Sequence, residues 1–115
     1  MHELGLATNI LETVRSEMAR RNGARAVRVE LRVGELSAVD RDSLGFCFES
    51  LVKGSDLESL VLSIDWRPHT CRCKACDEVF EVVGYNLTCP KCASTETNFA
   101  GGDELEIAYL EIEEP

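Results

Sequence analysis

The 115-residue chain sets twelve Lys and Arg against twenty-one Asp and Glu, a formal net charge of −9, with 44% hydrophobic and 29% charged residues. That size suits one ordinary domain, or a small domain carrying a smaller one, and the composition is globular, not disordered. The acidity argues against nucleic acid as the main partner. The longest apolar run, Ile107 to Leu110, is too short for a membrane span, and Met1-His2-Glu3 begins no basic, apolar leader, so the expected location is cytoplasmic.

The first segment predicts a helix. Leu4, Ala7, Ile10, Leu11, Val14 and Met18 recur every three or four residues and line one face. Glu3 near the start and Arg20 and Arg21 near the end complement the helix dipole, and Gly23 after Asn22 is the expected stop. Residues 26–33 then alternate: Val27, Val29, Leu31 and Val33 against Arg28, Glu30 and Arg32, the pattern of a strand with one buried face. A second helix is expected after Asp40 as N-cap, with Leu44, Phe48, Leu51 and Val52 as its apolar stripe and Gly54 at its close. Cys47 reads as a small buried hydrophobe beside that stripe.

Residues 60–66 predict a second strand, with Leu60, Leu62, Ile64 and Trp66 on one side, ended by Pro68. Residues 104–113 predict the last. Their apolar parity switches near Ala108-Tyr109, which calls for a bulge or for burial on both faces. The fold class is α+β: two helices on a small mixed three-stranded sheet, with an inserted zinc-ribbon-like module of short β-hairpins. The expected division is residues 1–68 with 101–115 as an α/β domain and 69–100 as the insertion.

The insertion holds five of the six cysteines. Cys73-Lys74-Ala75-Cys76 and Cys89-Pro90-Lys91-Cys92 are two C-x2-C pairs, twelve residues apart. Each pair wraps two thiolates round an ion from a tight turn, and four sulfurs form the tetrahedron that structural zinc takes. Two disulfides or a redox C-x-x-C are the competing readings. The chain shows no secretory signal, and no thioredoxin-like strand and helix flank either pair. The insertion has few apolar residues, so metal binding is expected to supply most of its folding energy, typically ~10–16 kcal/mol for such sites. Cys71 lies too close to Cys73 for the usual turn and reads as a strand neighbour. Arg72, Lys74 and Lys91 against Asp77, Glu78, Glu81 and Glu96 leave the insertion without the basic surface of a nucleic-acid-binding ribbon.

His2 follows the initiator Met. The amine of Met1, the amide and ring nitrogens of His2 and the amide nitrogen of Glu3 can close round one divalent ion, a donor set that favours square-planar Ni(II) or Cu(II). The Glu3 carboxylate can assist or orient the imidazole. His69, at the edge of the insertion, reads as a surface or hinge residue.

The whole pattern resembles the hydrogenase nickel-incorporation family (HypA/HybF). The resemblance rests on Met1-His2-Glu3, Val33-Gly34-Glu35-Leu36-Ser37, Leu44-Gly45-Phe46-Cys47-Phe48-Glu49, the two cysteine pairs and Gly102-Asp103-Glu104-Leu105-Glu106-Ile107. Asp40-Arg41-Asp42 departs from a Pro-Glu pair often found there. The resemblance implies a nickel metallochaperone that works with a HypB-type GTPase to load the immature large subunit of [NiFe] hydrogenase. It implies His2 as the nickel anchor with Met1 and Glu3, and Cys73, Cys76, Cys89 and Cys92 as the zinc ligands. A monomer or homodimer is compatible with it. The alternative is a zinc-stabilised protein–protein adaptor without nickel transfer. An enzyme is not expected: there is no Gly-rich phosphate loop and no Ser/His/Asp constellation, and a closed four-thiolate site leaves no open position for water.

Overall fold

A computed structural model describes residues 2–114 of the chain. The order of elements is α1 (His2–Arg20), β1 (Arg25–Gly34), a 3-10 turn (Glu35–Ser37), α2 (Arg41–Val52), β2 (Val61–Arg67), β3 (Thr70–Cys73), β4 (Val79–Glu81), β5 (Thr97–Gly101) and β6 (Leu105–Glu113). Two three-stranded sheets result, in the orders β2-β1-β6 and β4-β3-β5. This is the expected α+β architecture of two helices with small sheets.

The chain divides into two compact units. One takes in the chain up to Arg32, Val39–Asp65 and everything from Glu106 onward; the other takes in Val33–Ala38 and Trp66–Leu105. In the first unit α1 buries Ala7, Ile10, Leu11 and Val14, and α2 buries Leu44, Cys47, Phe48 and Val52. Leu4 and Leu51, expected in these stripes, are 43% and 37% exposed. Leu4 lies in the first turn of α1, and Leu51 lies beside the buried line Leu44, Phe48 and Val52, which runs to the last residue of α2. The helix ends are built as the residues suggest. Asp40 accepts a hydrogen bond from the Ser43 amide (3.0 Å), satisfying one of the orphan donors of α2. At the end of α1, Asn22 and Gly23 both take positive φ (59° and 80°), and the Gly23 amide returns to the Met18 carbonyl (3.0 Å).

The polar side chains of the first sheet report how its strands run. Arg32 pairs with Asp65 (3.3 Å) and Ser63 donates to Glu30 (3.2 Å), the same sequence offset twice, so β2 lies parallel to β1. Arg25 with Glu113 (2.7 Å), Arg28 with Glu111 (4.0 Å) and Arg32 with Glu106 (3.1 Å) run in opposite senses, so β6 lies antiparallel. The sheet is therefore mixed, and α2 lies in the crossover between its parallel strands, as such a connection requires. In β6, Ile107 and Ala108 are both half-buried, and Leu110 and Ile112 follow in the new parity.

The second unit has a thin core: Cys71, Cys73, Phe80, Val82 and Cys89, with Cys76 packed against it. Strand β3 is central, antiparallel to β4 and to β5, with Cys71 opposite both Phe80 and Phe99. In this unit the segment after β1 is fastened to the segment before β6. Gly34 donates to the Glu104 carbonyl and Leu36 to the Gly102 carbonyl, both at 2.7 Å. A Cβ on Gly34 would overlap the Gly102 carbonyl, and Gly102 sits at φ 118° with its own Cβ position 2.6 Å from the His69 Cα. Only glycine allows the two backbones so close.

Candidate metal centre

The four paired cysteines converge. The sulfurs of Cys73, Cys76, Cys89 and Cys92 all lie within 4.8 Å of one another, and they are the one such group of metal-ligating side chains among the described residues. Cys73 Sγ lies 3.5 Å from Cys92 Sγ, and Cys76 Sγ lies 3.6 Å from Cys89 Sγ. A tetrahedral zinc with Zn–S bonds of ~2.3 Å has sulfurs ~3.8 Å apart, so these spacings fit such an ion. A disulfide needs ~2.05 Å, and all six cysteines are free.

Two turns of the same construction present the sulfurs. In the first, the Asp77 amide donates to the Cys73 carbonyl and the Cys73 amide to the Glu78 carbonyl, each at 2.9 Å. In the second, the Ala93 amide donates to the Cys89 carbonyl and the Cys89 amide to the Ser94 carbonyl, again at 2.9 Å. Asp77 and Ala93 both stand at φ 64°, the left-handed conformation that reverses the chain after the second cysteine of each pair. Arg72 reinforces the first turn by donating to the Asp77 carbonyl (3.3 Å) and carboxylate (3.2 Å). Spacing alone pointed to the cysteines. The supporting residues carry a weaker signal, an Asp just after the first pair, which tolerates a left-handed backbone.

Backbone dipoles tune the cluster. The Cys76 amide, against some desolvation, and then the Ala75 amide (3.3 Å from Cys73 Sγ) hold the Cys73 thiol down to about 6. At Cys76 the Glu78 amide also acts downward, but desolvation and the neighbouring cysteine side chains outweigh it and push the thiol up to about 12. One thiolate is thus favoured first, and a divalent ion supplies the charge that lets the others follow. The sulfurs are unevenly covered: Cys73 and Cys89 are buried, Cys76 is half-buried and Cys92 is exposed.

The other candidates fall elsewhere. Cys71 is buried in β3 and Cys47 in α2, both outside the four-sulfur group. His69 packs its ring against Phe99 (centroids 5.8 Å apart), and its amide donates to Glu35 Oε1 (3.0 Å). His2 is exposed at the first residue of α1. The Glu3 carboxylate accepts from the Asp40 amide (3.4 Å), a long bond that turns it towards the start of α2. Met1, the remaining expected nickel ligand, lies outside the described residues.

Comparison with known proteins adds the lineage. Residues 1–112 match the family described as hydrogenase/urease nickel incorporation, metallochaperone, hypA. The hydrogenase maturation factor HypA of Chlorobaculum parvum is 34% identical over 114 residues, covering 98% of this chain and all of that one. That of Desulfitobacterium hafniense is 31% identical over 114 residues, covering 99% and 100%. The solution structure of the Ni metallochaperone HypA from Helicobacter pylori superposes with a TM-score of 0.60 at 26% identity, covering 98% of each chain. The solution structure of another HypA protein shares the fold, with a TM-score of 0.67 at 24% identity.

Proposed function

The chain belongs to the HypA family of nickel-incorporation metallochaperones that serve hydrogenase maturation, and from that premise we propose that it binds Ni(II) at its N-terminus and passes it to the immature large subunit of [NiFe] hydrogenase. The amine of Met1, the amide and ring nitrogens of His2 and the amide nitrogen of Glu3 form the nickel site. The unit that contains α1 carries the nickel; the unit built on the cysteine turns carries zinc on Cys73, Cys76, Cys89 and Cys92. A HypB-type GTPase assists the transfer in the cytoplasm. The protein is a carrier, with no bond-making step of its own.

The observation that carries this reading is the match to the family across residues 1–112, which spans both the Met1-His2-Glu3 start and the four-sulfur cluster. The local structure is compatible with the chemistry. Helix α1 begins at His2, so the amides of its first turn have no carbonyl four residues earlier to bond. Deprotonating them for nickel breaks no helical hydrogen bond. An exposed site at a chain terminus can be reached by a recipient and dismantled by reprotonation, which is what delivery requires. Protons compete with the ion for the nitrogens of the site, so nickel affinity falls with falling pH. A closed four-thiolate site with two of its sulfurs buried suits a lasting structural staple.

A one-residue extension at the N-terminus separates the carrier from a zinc-stabilised adaptor. The extended protein keeps its zinc and loses high-affinity nickel binding in isothermal titration. Nickel affinity equal to that of the unextended chain would remove the N-terminal site from the account.

A further inference from the structure

Strands β2 and β6 form the two edges of the sheet β2-β1-β6, and a groove lies beside β2. An edge strand presents unpaired backbone N–H and C=O groups, and proteins that must not pair there guard the edge with charges, Pro or a bulge. Strand β6 carries Glu106, Glu111 and Glu113, all paired with arginines of β1, around the uncharged run Ile107–Leu110. Strand β2 opens with Val61-Leu62-Ser63-Ile64, which holds no charge, no Pro and no Gly. Val61 is 49% exposed on this unguarded stretch.

A groove of about 460 Å³ runs beside the same residues, between β2 and α2. Phe48, Val52, Leu60 and Ile64 supply its apolar wall, and Glu49, Glu58 and Lys53 its charged positions, a balance of one negative charge. An open backbone edge flanked by an apolar groove is what an extended segment needs. The backbone supplies a hydrogen-bonded ladder, and alternate side chains fill the groove.

We propose that Val61–Ile64 is a docking edge for an extended segment of a different, positively charged protein, which adds as a fourth strand to the sheet. The segment carries apolar side chains at alternate positions and Lys or Arg at its ends. Charge selects this occupant. The groove is negative in balance and the chain carries −9, so a second copy is repelled whereas a basic segment is attracted. The surface shares no residue with the N-terminal nitrogens or the cysteine cluster, so this inference goes beyond nickel carriage and stands or falls apart from it.

The test uses the full zinc-loaded chain and three capped synthetic peptides. The first is Lys-Val-Thr-Val-Thr-Val-Lys, the second has Glu at both ends, and the third is the first with alternate backbone nitrogens methylated. Amide exchange and chemical-shift changes are followed residue by residue by NMR. The basic peptide is expected to slow exchange at amides within residues 61–64 by about tenfold or more. The acidic peptide binds about tenfold more weakly, the methylated one fails to protect, and added salt weakens the basic one. Val61→Lys, which adds a guarding charge, weakens the basic peptide by about tenfold while α1 and α2 shifts stay in place. Equal binding of the methylated peptide, or shift changes confined to other residues, overturns the proposal. So does protection of these amides that rises with protein concentration alone, since the occupant is then a second copy.

Discussion

Asp77 and Ala93 occupy the same place in two successive cysteine turns, each four residues beyond the first cysteine of its pair and each at φ 64°. The left-handed backbone costs an alanine roughly 1–2 kcal/mol, and a glycine almost nothing. Ala93→Gly is therefore expected to stabilise the zinc-loaded protein by about 0.5 kcal/mol, after the added freedom of the unfolded chain is offset. Ala93→Val, with a β-branched side chain at the same φ, is expected to destabilise it by more than about 1 kcal/mol. Thermal unfolding checks both, and a competing chelator shows whether zinc affinity follows.

Removing the metal tests how the second unit is held. Its core is Cys71, Cys73, Phe80, Val82 and Cys89, and two of these five are members of the four-sulfur cluster. Without an ion the remaining apolar contacts are too few to order the segment. Chelation is expected to abolish amide protection between residues 70 and 101 while α1, α2 and β1 keep theirs. Acid acts in the same direction, because thiolates released from the ion take up protons. Retained protection from 70 to 101 after complete zinc loss would show that packing alone holds the unit.

Gly34 and Gly45 make a paired control for backbone crowding. A Cβ at Gly34 meets the Gly102 carbonyl, whereas one at Gly45 meets nothing within 4 Å. Gly34→Ala is expected to cost at least about 2 kcal/mol, since it forces apart the Gly34–Glu104 and Leu36–Gly102 hydrogen bonds. Gly45→Ala, inside α2, is expected to gain about 0.5–1 kcal/mol from helix propensity. Urea unfolding midpoints report the two signs.

The sequence was most legible where one rule acted alone. The stripe Leu4, Ala7, Ile10, Leu11, Val14, Met18 and the alternation Val27, Val29, Leu31, Val33 are single-period patterns; their middles are buried, while Met18 and Val27 are half-buried and Leu4 is exposed. Asp40 carried its capping role in its type and position. The C-x2-C spacing brought four sulfurs together because each turn is local. Strand β5 was illegible because Thr97-Asn98-Phe99-Ala100-Gly101 has no alternation of its own; pairing with β3 makes it a strand. The fastening of Gly34 to Glu104 escaped for a related reason. It joins residues seventy apart in sequence through backbone atoms, which leave no signature beyond two glycines.

The proposed nickel site uses the amide nitrogen of Glu3, and two substitutions separate that atom from the side chain. Glu3→Gln keeps the amide and is expected to keep nickel affinity. Its carboxylate is engaged with the Asp40 amide, so the loss is confined to a little helix stability. Glu3→Pro replaces the amide N–H with a tertiary nitrogen that cannot deprotonate, at a first-turn position where α1 tolerates proline. Nickel affinity is expected to fall by at least about tenfold in Glu3→Pro, read by isothermal titration, with circular dichroism unchanged.

The central claim is that two metals bind two separate sets of residues, and metal analysis tests it most directly. Wild type and His2→Ala are loaded with zinc and nickel, desalted and measured for both elements. Wild type is expected to retain one zinc and one nickel per chain, and His2→Ala one zinc and no nickel. Nickel retained at full stoichiometry in His2→Ala, with zinc unchanged, would contradict the account.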